Sequence, residues 1–343
     1  MIIALDAMGG DLAPKEPIKG ALLANRELDM QIALVGSSEL IRQELSHHGP
    51  VPSGIEIVEA SEAIGMEETP VQAVRQKKDA SINVAMGLVK RGTASAVVSA
   101  GNTGAVMASA LLNLGRVPGI ERPAIGTIAP YTEKGILVLD VGANADCKPS
   151  YLIQFAQMGS LYMEKVAGIE RPRVGLLNIG EEPSKGNELT QEVFEQLSRG
   201  NLNFVGNIEP DRVHRGLAEV IVTDGFTGNI AVKVTEGTAD FIFGELRTAI
   251  TSKLHYKLAG LVMRPALLAM RRRLDYSEYG GAPLLGVNGV VTIAHGRADD
   301  NAMKNALRLA RHVVESGMLQ TLRDAFGREA RAEAAAAASE SRA

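Results

Sequence analysis

The sequence predicts an α/β protein of three layers (αβα), with a mostly parallel sheet covered by helices on both faces. Short apolar, β-branched runs alternate with longer helical stretches, the pattern of strand–helix–strand units. The strand runs are apolar throughout rather than alternating with polar residues, and strands buried on both faces belong to parallel sheets. A length of 343 residues suffices for one large core.

Taken in order, Ile2–Asp6 (IIALD) reads as a buried strand and residues 14–28 as a helix. Gln31–Gly36 and residues 55–58 are the next strands, and residues 70–90 read as one helix. Residues 94–99 form a strand that ends in a glycine turn, followed by a helix over 104–114. Ala124–Ala129, 136–141 and 173–179 are further strands, with helices over 150–166 and 187–197. Residues 204–206 and 219–223 are short strands. A long helix starts near Thr227 and runs past Leu246. With no internal repeat or Pro/Ser-rich linker, residues 1–328 are expected to form a single α/β catalytic domain. The Ala-rich tail, 329–343, has no apolar stripe with which to dock and is expected to be disordered.

Bulk properties exclude several classes. A net charge of −4 argues against nucleic acid as a partner, so any positive site must be local. The single cysteine, Cys147, rules out an intramolecular disulfide and suits a reducing compartment. The N-terminus lacks the charged and long apolar regions of a signal peptide, and no run reaches roughly 18 apolar residues. A cytoplasmic protein is expected, with surface attachment to a membrane left open.

Ligands in open parallel sheets bind beyond the carboxyl ends of the strands. Five such ends carry glycine with polar residues: Asp6-Ala7-Met8-Gly9-Gly10-Asp11, Ser99-Ala100-Gly101-Asn102-Thr103-Gly104, Asp140-Val141-Gly142-Ala143-Asn144, Asn178 to Gly186, and Thr223-Asp224-Gly225-Phe226-Thr227-Gly228-Asn229. Each glycine and asparagine is equally a turn former or helix cap. Together, at one sheet edge, they predict a polar site that accepts phosphate, with Asp6, Gly9, Gly10, Asn102, Thr103, Gly104, Asn144 and Gly228 as binding candidates. Glycine lets main chain approach a ligand, and helix N-termini offer N–H groups to an anion.

Spacing excludes other sites. No G-x-G-x-x-G follows a strand, and Gly180 to Lys185 lacks the glycine directly before the lysine that a phosphate loop needs. There is no H-E-x-x-H, no cysteine pair and no G-x-S-x-G, and the six histidines are scattered, with only His295 near a strand end. No zinc site is expected. Cys147 reads as an acyl-accepting thiol or as a small residue near a helix start. No neighbouring histidine would activate it, which favours the second. Lys185 reads as a phosphate-binding cation or as a surface lysine paired with Glu181 or Glu182. Asn229 reads as a site residue or a cap.

These loops, with Gly280-Gly-Ala-Pro-Leu-Leu-Gly286 and Ala294-His-Gly296, resemble the PlsX family of acyl-[acyl-carrier-protein]:phosphate acyltransferases over residues 1–325. The resemblance implies a fold like that of isopropylmalate dehydrogenases and phosphotransacetylases, a homodimer and no cofactor. It also implies transfer of a fatty acyl group from acyl carrier protein to inorganic phosphate, giving acyl phosphate for phospholipid synthesis. Lys185 and Asn229 occupy the positions it marks as catalytic. A phosphotransacetylase-like enzyme using acyl-coenzyme A, and a scaffold without activity, are the alternatives.

Residues 247 to 274 carry seven basic residues and no acid. Leu254, Leu258 and Leu261 share one helical stripe beside Lys253 and Lys257, an amphipathic pattern with a basic face. Pro265 is expected to start a new helix, giving a hairpin. Lys253, Lys257, Leu258, Leu261, Arg264 and Arg271 are therefore candidates for contact with a partner or membrane. Solvated helices, a face for an acidic carrier protein, and adhesion to anionic lipid all fit the pattern. The resemblance adds peripheral contact with the inner face of the membrane and with a membrane glycerol-3-phosphate acyltransferase.

Overall fold

The computed structural model describes residues 1–274 and 280–328. The tail expected to be disordered, 329–343, lies outside them. Strands and helices alternate in the first half of the chain, with a helix at 38–46 beyond those expected: β1 (Ile2–Asp6), α1 (Lys15–Leu28), β2 (Gln31–Gly36), α2 (Ser38–Ser46), β3 (Ile55–Glu59), α3 (Pro70–Gln76), α4 (Ser81–Lys90), β4 (Ala96–Ser99) and α5 (Thr103–Asn113). The second half adds β5 (Ala124–Ala129), β6 (Ile136–Leu139), α6 (Pro149–Lys165), β7 (Arg173–Leu177), α7 (Glu188–Arg199), β8 (Asn203–Ile208) and β9 (Val220–Val222). It continues with α8 (Gly225–Thr251), α9 (Leu254–Leu274), β10 (Ala282–Leu285), β11 (Val290–Ile293) and α10 (Asp300–Glu315). A last helix, α11, covers 318–328.

The described strands form one sheet in the order β3-β2-β1-β4-β11-β10-β5-β6-β9-β7-β8. Apolar residues on alternate sides of each strand feed two layers, as the continuous apolar runs require. Ile3 and Leu5 of β1 face α1, α2 and α10, and that core continues under α6 and α7. Ala4 of the same strand faces α3, α4 and α5. At the far end of this second face a smaller cluster forms under the start of α8, with Val138, Leu177, Ile221 and Ala231.

The pairing corrects the expectation of one sheet edge. β3, β2, β1, β4 and β11 are mutually parallel, and so are β6, β9, β7 and β8. Between them stand three antiparallel pairs, β11–β10, β10–β5 and β5–β6, so the two parallel groups run in opposite senses. The polar loops therefore leave from two sets of strand ends, after β1 and β4 and after β6, β7 and β9. Over the five strand steps from β1 to β6, a twist of about 20–25° each would turn the two sets by about 100–125°.

Three element readings change. Residues 70–90 form two helices, because the buried Asn83 amide takes the carbonyls of Val74 (3.0 Å) and Lys77 (2.8 Å) and so replaces the helical N–H partners there. Pro265 lies inside α9 rather than starting a helix. Strong helix formers on either side carry the chain past its missing N–H, and the hairpin turn falls instead between α8 and α9. The strands β10 and β11, hidden in sequence among Gly280, Gly281, Pro283, Gly286 and Gly289, insert in the middle of the sheet.

Candidate active site

β1 ends in Asp6, a buried carboxylate that organises its own loop. Its Oδ1 accepts from the Met8 N–H (3.2 Å) and its Oδ2 from the Ser99 hydroxyl (2.7 Å) at the end of β4. Ser99 Oγ in turn accepts from the Gly101 N–H at 3.0 Å. Burial pushes the Asp6 carboxyl up, against donors from Ser81, Ser99, Met8 and Gly9. Asp6 thus spends its oxygens inside the protein. Gly9 lies against Asp6 Oδ2 and the Gly101 N–H, and Gly10 sits at φ 105°, where a side chain would be strained. The β11 loop closes on this group: the Asp11 N–H donates to the Gly296 carbonyl at 2.7 Å, and Arg297 faces Asp11.

Asn102 caps α5, its Oδ1 accepting from the Ala105 N–H at 3.1 Å. Its Nδ2 donates to the Met66 carbonyl at 2.7 Å, so both ends of the amide are in use. Thr103, exposed, and Gly104, packed against Pro70, form the first turn of α5 and present its leading N–H groups.

The second group is built around Asp140, buried at the end of β6. Its Oδ1 accepts from the N–H groups of Ile125, Gly142 and Ala143, and its Oδ2 from the Asn144 N–H and side-chain amide. Burial pushes this carboxyl up while those donors pull it down. Asn144 also donates to the Pro123 carbonyl (2.8 Å), which makes it a loop brace. The N-terminus of α8 docks on this loop. A Cβ on Gly228 would lie 1.9 Å from the Asp140 carbonyl, so only glycine fits. Three leading N–H groups of α8 are taken: Gly225 by the Asn144 carbonyl, Thr227 by the Asp224 carboxylate and Gly228 by the Asp224 carbonyl. This helix end is therefore not an open anion seat.

Asn229 is half-buried, and its Nδ2 donates to the Val141 carbonyl at 2.9 Å. That bond fixes the amide, leaving one N–H and the Oδ1 for a ligand. Lys185 is exposed on the loop after β7. Its neighbour Glu181 pairs with Arg212, while the Lys185 N–H donates to the Glu182 carbonyl at 3.0 Å. β9 separates β7 from β6, so Lys185 and Asn229 rise from the same set of strand ends. Cys147 lies beside Asn144 and Gly225, half-buried, its thiol pushed up to about 12 by burial and by the charges of Asp140, Asp224 and Asp146. It remains a protonated thiol at neutral pH, a poor nucleophile.

The two groups approach on the sheet face covered by α3–α5 and α8. Val141 and Ala143 pack against the same apolar layer as Ala105 and Val106 at the start of α5. Farther along α8, burial pushes the Glu236 carboxyl up, while the charges of His295 at the β11 end and Lys233 on α8 pull it down. α8 thus runs from the second group to the first. Asp140 stands among the polar strand-end residues the sequence offered, whereas Lys233 and Glu236, in mid-helix, carry no local sequence signal. Among the described residues, no three His, Cys, Asp or Glu side chains gather where a metal ion could be held.

The basic segment forms the second arm of an α8–α9 hairpin, closed where Gly260 meets Ile250. Lys253, Lys257, Leu258, Leu261 and Arg264 are all exposed. Arg271 lies in the last turns of α9. Among the described residues no helix is long and apolar enough to cross a membrane.

Comparison with known proteins agrees with the loop signature. Solved structures share the fold: a phosphotransacetylase from Streptococcus pyogenes (TM-score 0.61, 19% identity, 92% of this chain and 94% of that one) and a 4-hydroxythreonine-4-phosphate dehydrogenase from Klebsiella pneumoniae (TM-score 0.55, 17% identity, 92% and 99%). Proteins named phosphate acyltransferase are much nearer in sequence. That of Desulfitobacterium hafniense (strain DSM 10664 / DCB-2) is 51% identical over 324 residues, 94% of this chain and 97% of the relative. That of Heliobacterium modesticaldum is 52% identical over 325 residues, again 94% and 97%. The family model described as "Fatty acid synthesis protein" matches residues 1–321, and the chain belongs to that family, the PlsX family its loops resemble.

Proposed function

We propose that the protein is a phosphate acyltransferase that moves a fatty acyl group from acyl carrier protein to inorganic phosphate. The supporting observation is the placement of an exposed lysine, Lys185, and a fixed amide, Asn229, on one set of strand ends. Relatives about half identical over nearly the whole chain carry the name phosphate acyltransferase. In the reaction, a phosphate oxygen attacks the thioester carbonyl and forms the C–O bond. The C–S bond breaks, and the proton of hydrogen phosphate passes to the departing carrier thiolate. Phosphate is nucleophilic at neutral pH, so no acyl-enzyme is needed, in keeping with the suppressed thiol of Cys147. Lys185 holds the phosphate and offsets its charge. Asn229 donates its remaining N–H to phosphate or to the developing oxyanion. The first turn of α5, with Thr103 and Gly104, is the second candidate for phosphate contact.

The reading extends to assembly. Val234, Phe241 and Ile242 lie exposed along α8 and support a homodimer through that helix. The exposed leucines and bases of α9 support peripheral contact of a cytoplasmic protein with anionic lipid, where the acyl phosphate would pass to a membrane glycerol-3-phosphate acyltransferase for phospholipid synthesis. The test is release of free carrier thiol by the purified protein. We expect release that depends on phosphate, with acyl phosphate formed in equal amount, and acyl-carrier protein preferred over acyl-coenzyme A. No release at saturating phosphate would favour a scaffold. Preference for acyl-coenzyme A would favour a phosphotransacetylase.

A further inference from the structure

The geometry points to Asn207 as a positioning residue that sets Lys185 in place for phosphate, an inference that rests on the phosphate-holding role of Lys185 proposed above. Lys185 stands on a loop with no secondary structure of its own, between β7 and α7. Its main chain is tied at both ends by buried amides. The Lys185 N–H donates to the Glu182 carbonyl at 3.0 Å, and the Asn207 Nδ2 donates to that same carbonyl, also at 3.0 Å. The Lys185 carbonyl accepts from Asn178 Nδ2 at 3.2 Å. Asn178 closes β7 and Asn207 lies on the neighbouring β8, and both are more than nine-tenths buried. A third amide, Gln191 on α7, holds the Ser184 carbonyl at 2.7 Å. The stem of Lys185 lies over Gly180, where a Cβ would come within 2.8 Å of its Cγ. Sheet, helix and loop therefore fix where the lysine leaves the main chain.

Stability alone gives no reason for the Asn207 amide at this buried position. Its Oδ1 is buried without a hydrogen-bond partner among the described residues, a cost that an apolar side chain of the same size would avoid. Its bond to the Glu182 carbonyl is what it contributes to the lysine loop. Asn207→Leu keeps the branched outline of four side-chain heavy atoms and removes the unpaired oxygen. The Glu182 carbonyl keeps its bond from the Lys185 N–H, belongs to an exposed residue and can take water in place of the amide. The fold should survive, and the lysine loop should loosen.

The experiment is a double-mutant cycle of Asn207→Leu with Lys185→Ala, with phosphate titrated at saturating acyl donor and a thermal melt of each variant. We expect Asn207→Leu alone to lower kcat/KM for phosphate about 10- to 100-fold, as a small misplacement of a binding group does. The KM for the acyl donor should stay unchanged and the melt near wild type. In the Lys185→Ala background it should cost nothing further. Equal loss in both backgrounds, equal changes in both KM values, or no loss at all would overturn the inference. Near wild-type activity of Lys185→Ala alone would instead overturn the reading of Lys185, and this one with it.

Discussion

Lys185 and Asn229 differ in how firmly the fold holds them, and that difference shapes what their removal should do. The Asn229 side chain is anchored to the Val141 carbonyl, whereas the Lys185 side chain is exposed and only its main chain is anchored. Loss of one donor to a developing oxyanion typically costs about 10²–10³ in turnover. We expect Lys185→Ala and Asn229→Ala each to lose about that factor in phosphate-dependent thiol release, with unchanged circular dichroism. Near-wild-type turnover in a variant would end its catalytic reading. Both residues stood out as candidates because each lies in a short stretch, after β7 and at the start of α8, whose residue kinds stand together in sequence. Asn207 was not. It lies 22 residues from Lys185 and acts through a carbonyl, and nothing local marks a strand asparagine as the support of another element's loop.

At the scale of elements, α9 shares with α8 an unusual exposure of large apolar side chains. Leu254, Leu258, Leu261 and Val262 are 74%, 59%, 65% and 83% exposed, a run of apolar surface that a soluble helix would ordinarily bury. Lys253, Lys257 and Arg264 stand exposed on the same helical arm. Apolar area and positive charge together suit the interface of an anionic bilayer. We expect Leu258→Glu with Leu261→Glu to prevent sedimentation with phosphatidylglycerol vesicles while turnover on soluble acyl carrier protein stays within about twofold, since α9 carries none of the site residues. Equal sedimentation of variant and wild type would count against membrane contact. The amphipathic spacing was readable from the sequence. The continuation of the helix through Pro265 was not, because proline's penalty is a local preference that strong helix formers on both sides outweigh.

For the whole molecule, the decisive feature is the hairpin-like pair β10–β11 in the middle of the sheet, with β11 on β4 and β10 on β5. It joins two parallel groups that run in opposite senses. A chain ending at Leu274 would lack these strands and α10, leaving Ala96–Ser99 and Ala124–Ala129 without their shared partners. We expect such a chain to show no cooperative melt by calorimetry, and a sharp transition would show that the halves fold alone. The sequence by itself determined the layers, most strands and the chemical character of the loops, because hydrophobic period and turn residues act over a few neighbours. Tertiary structure alone decided the strand order, the reversal of direction and the meeting of two sets of strand ends along α8. Those outcomes depend on pairings between segments as distant as β4 and β11, which no local pattern encodes, and on twist accumulated across the sheet.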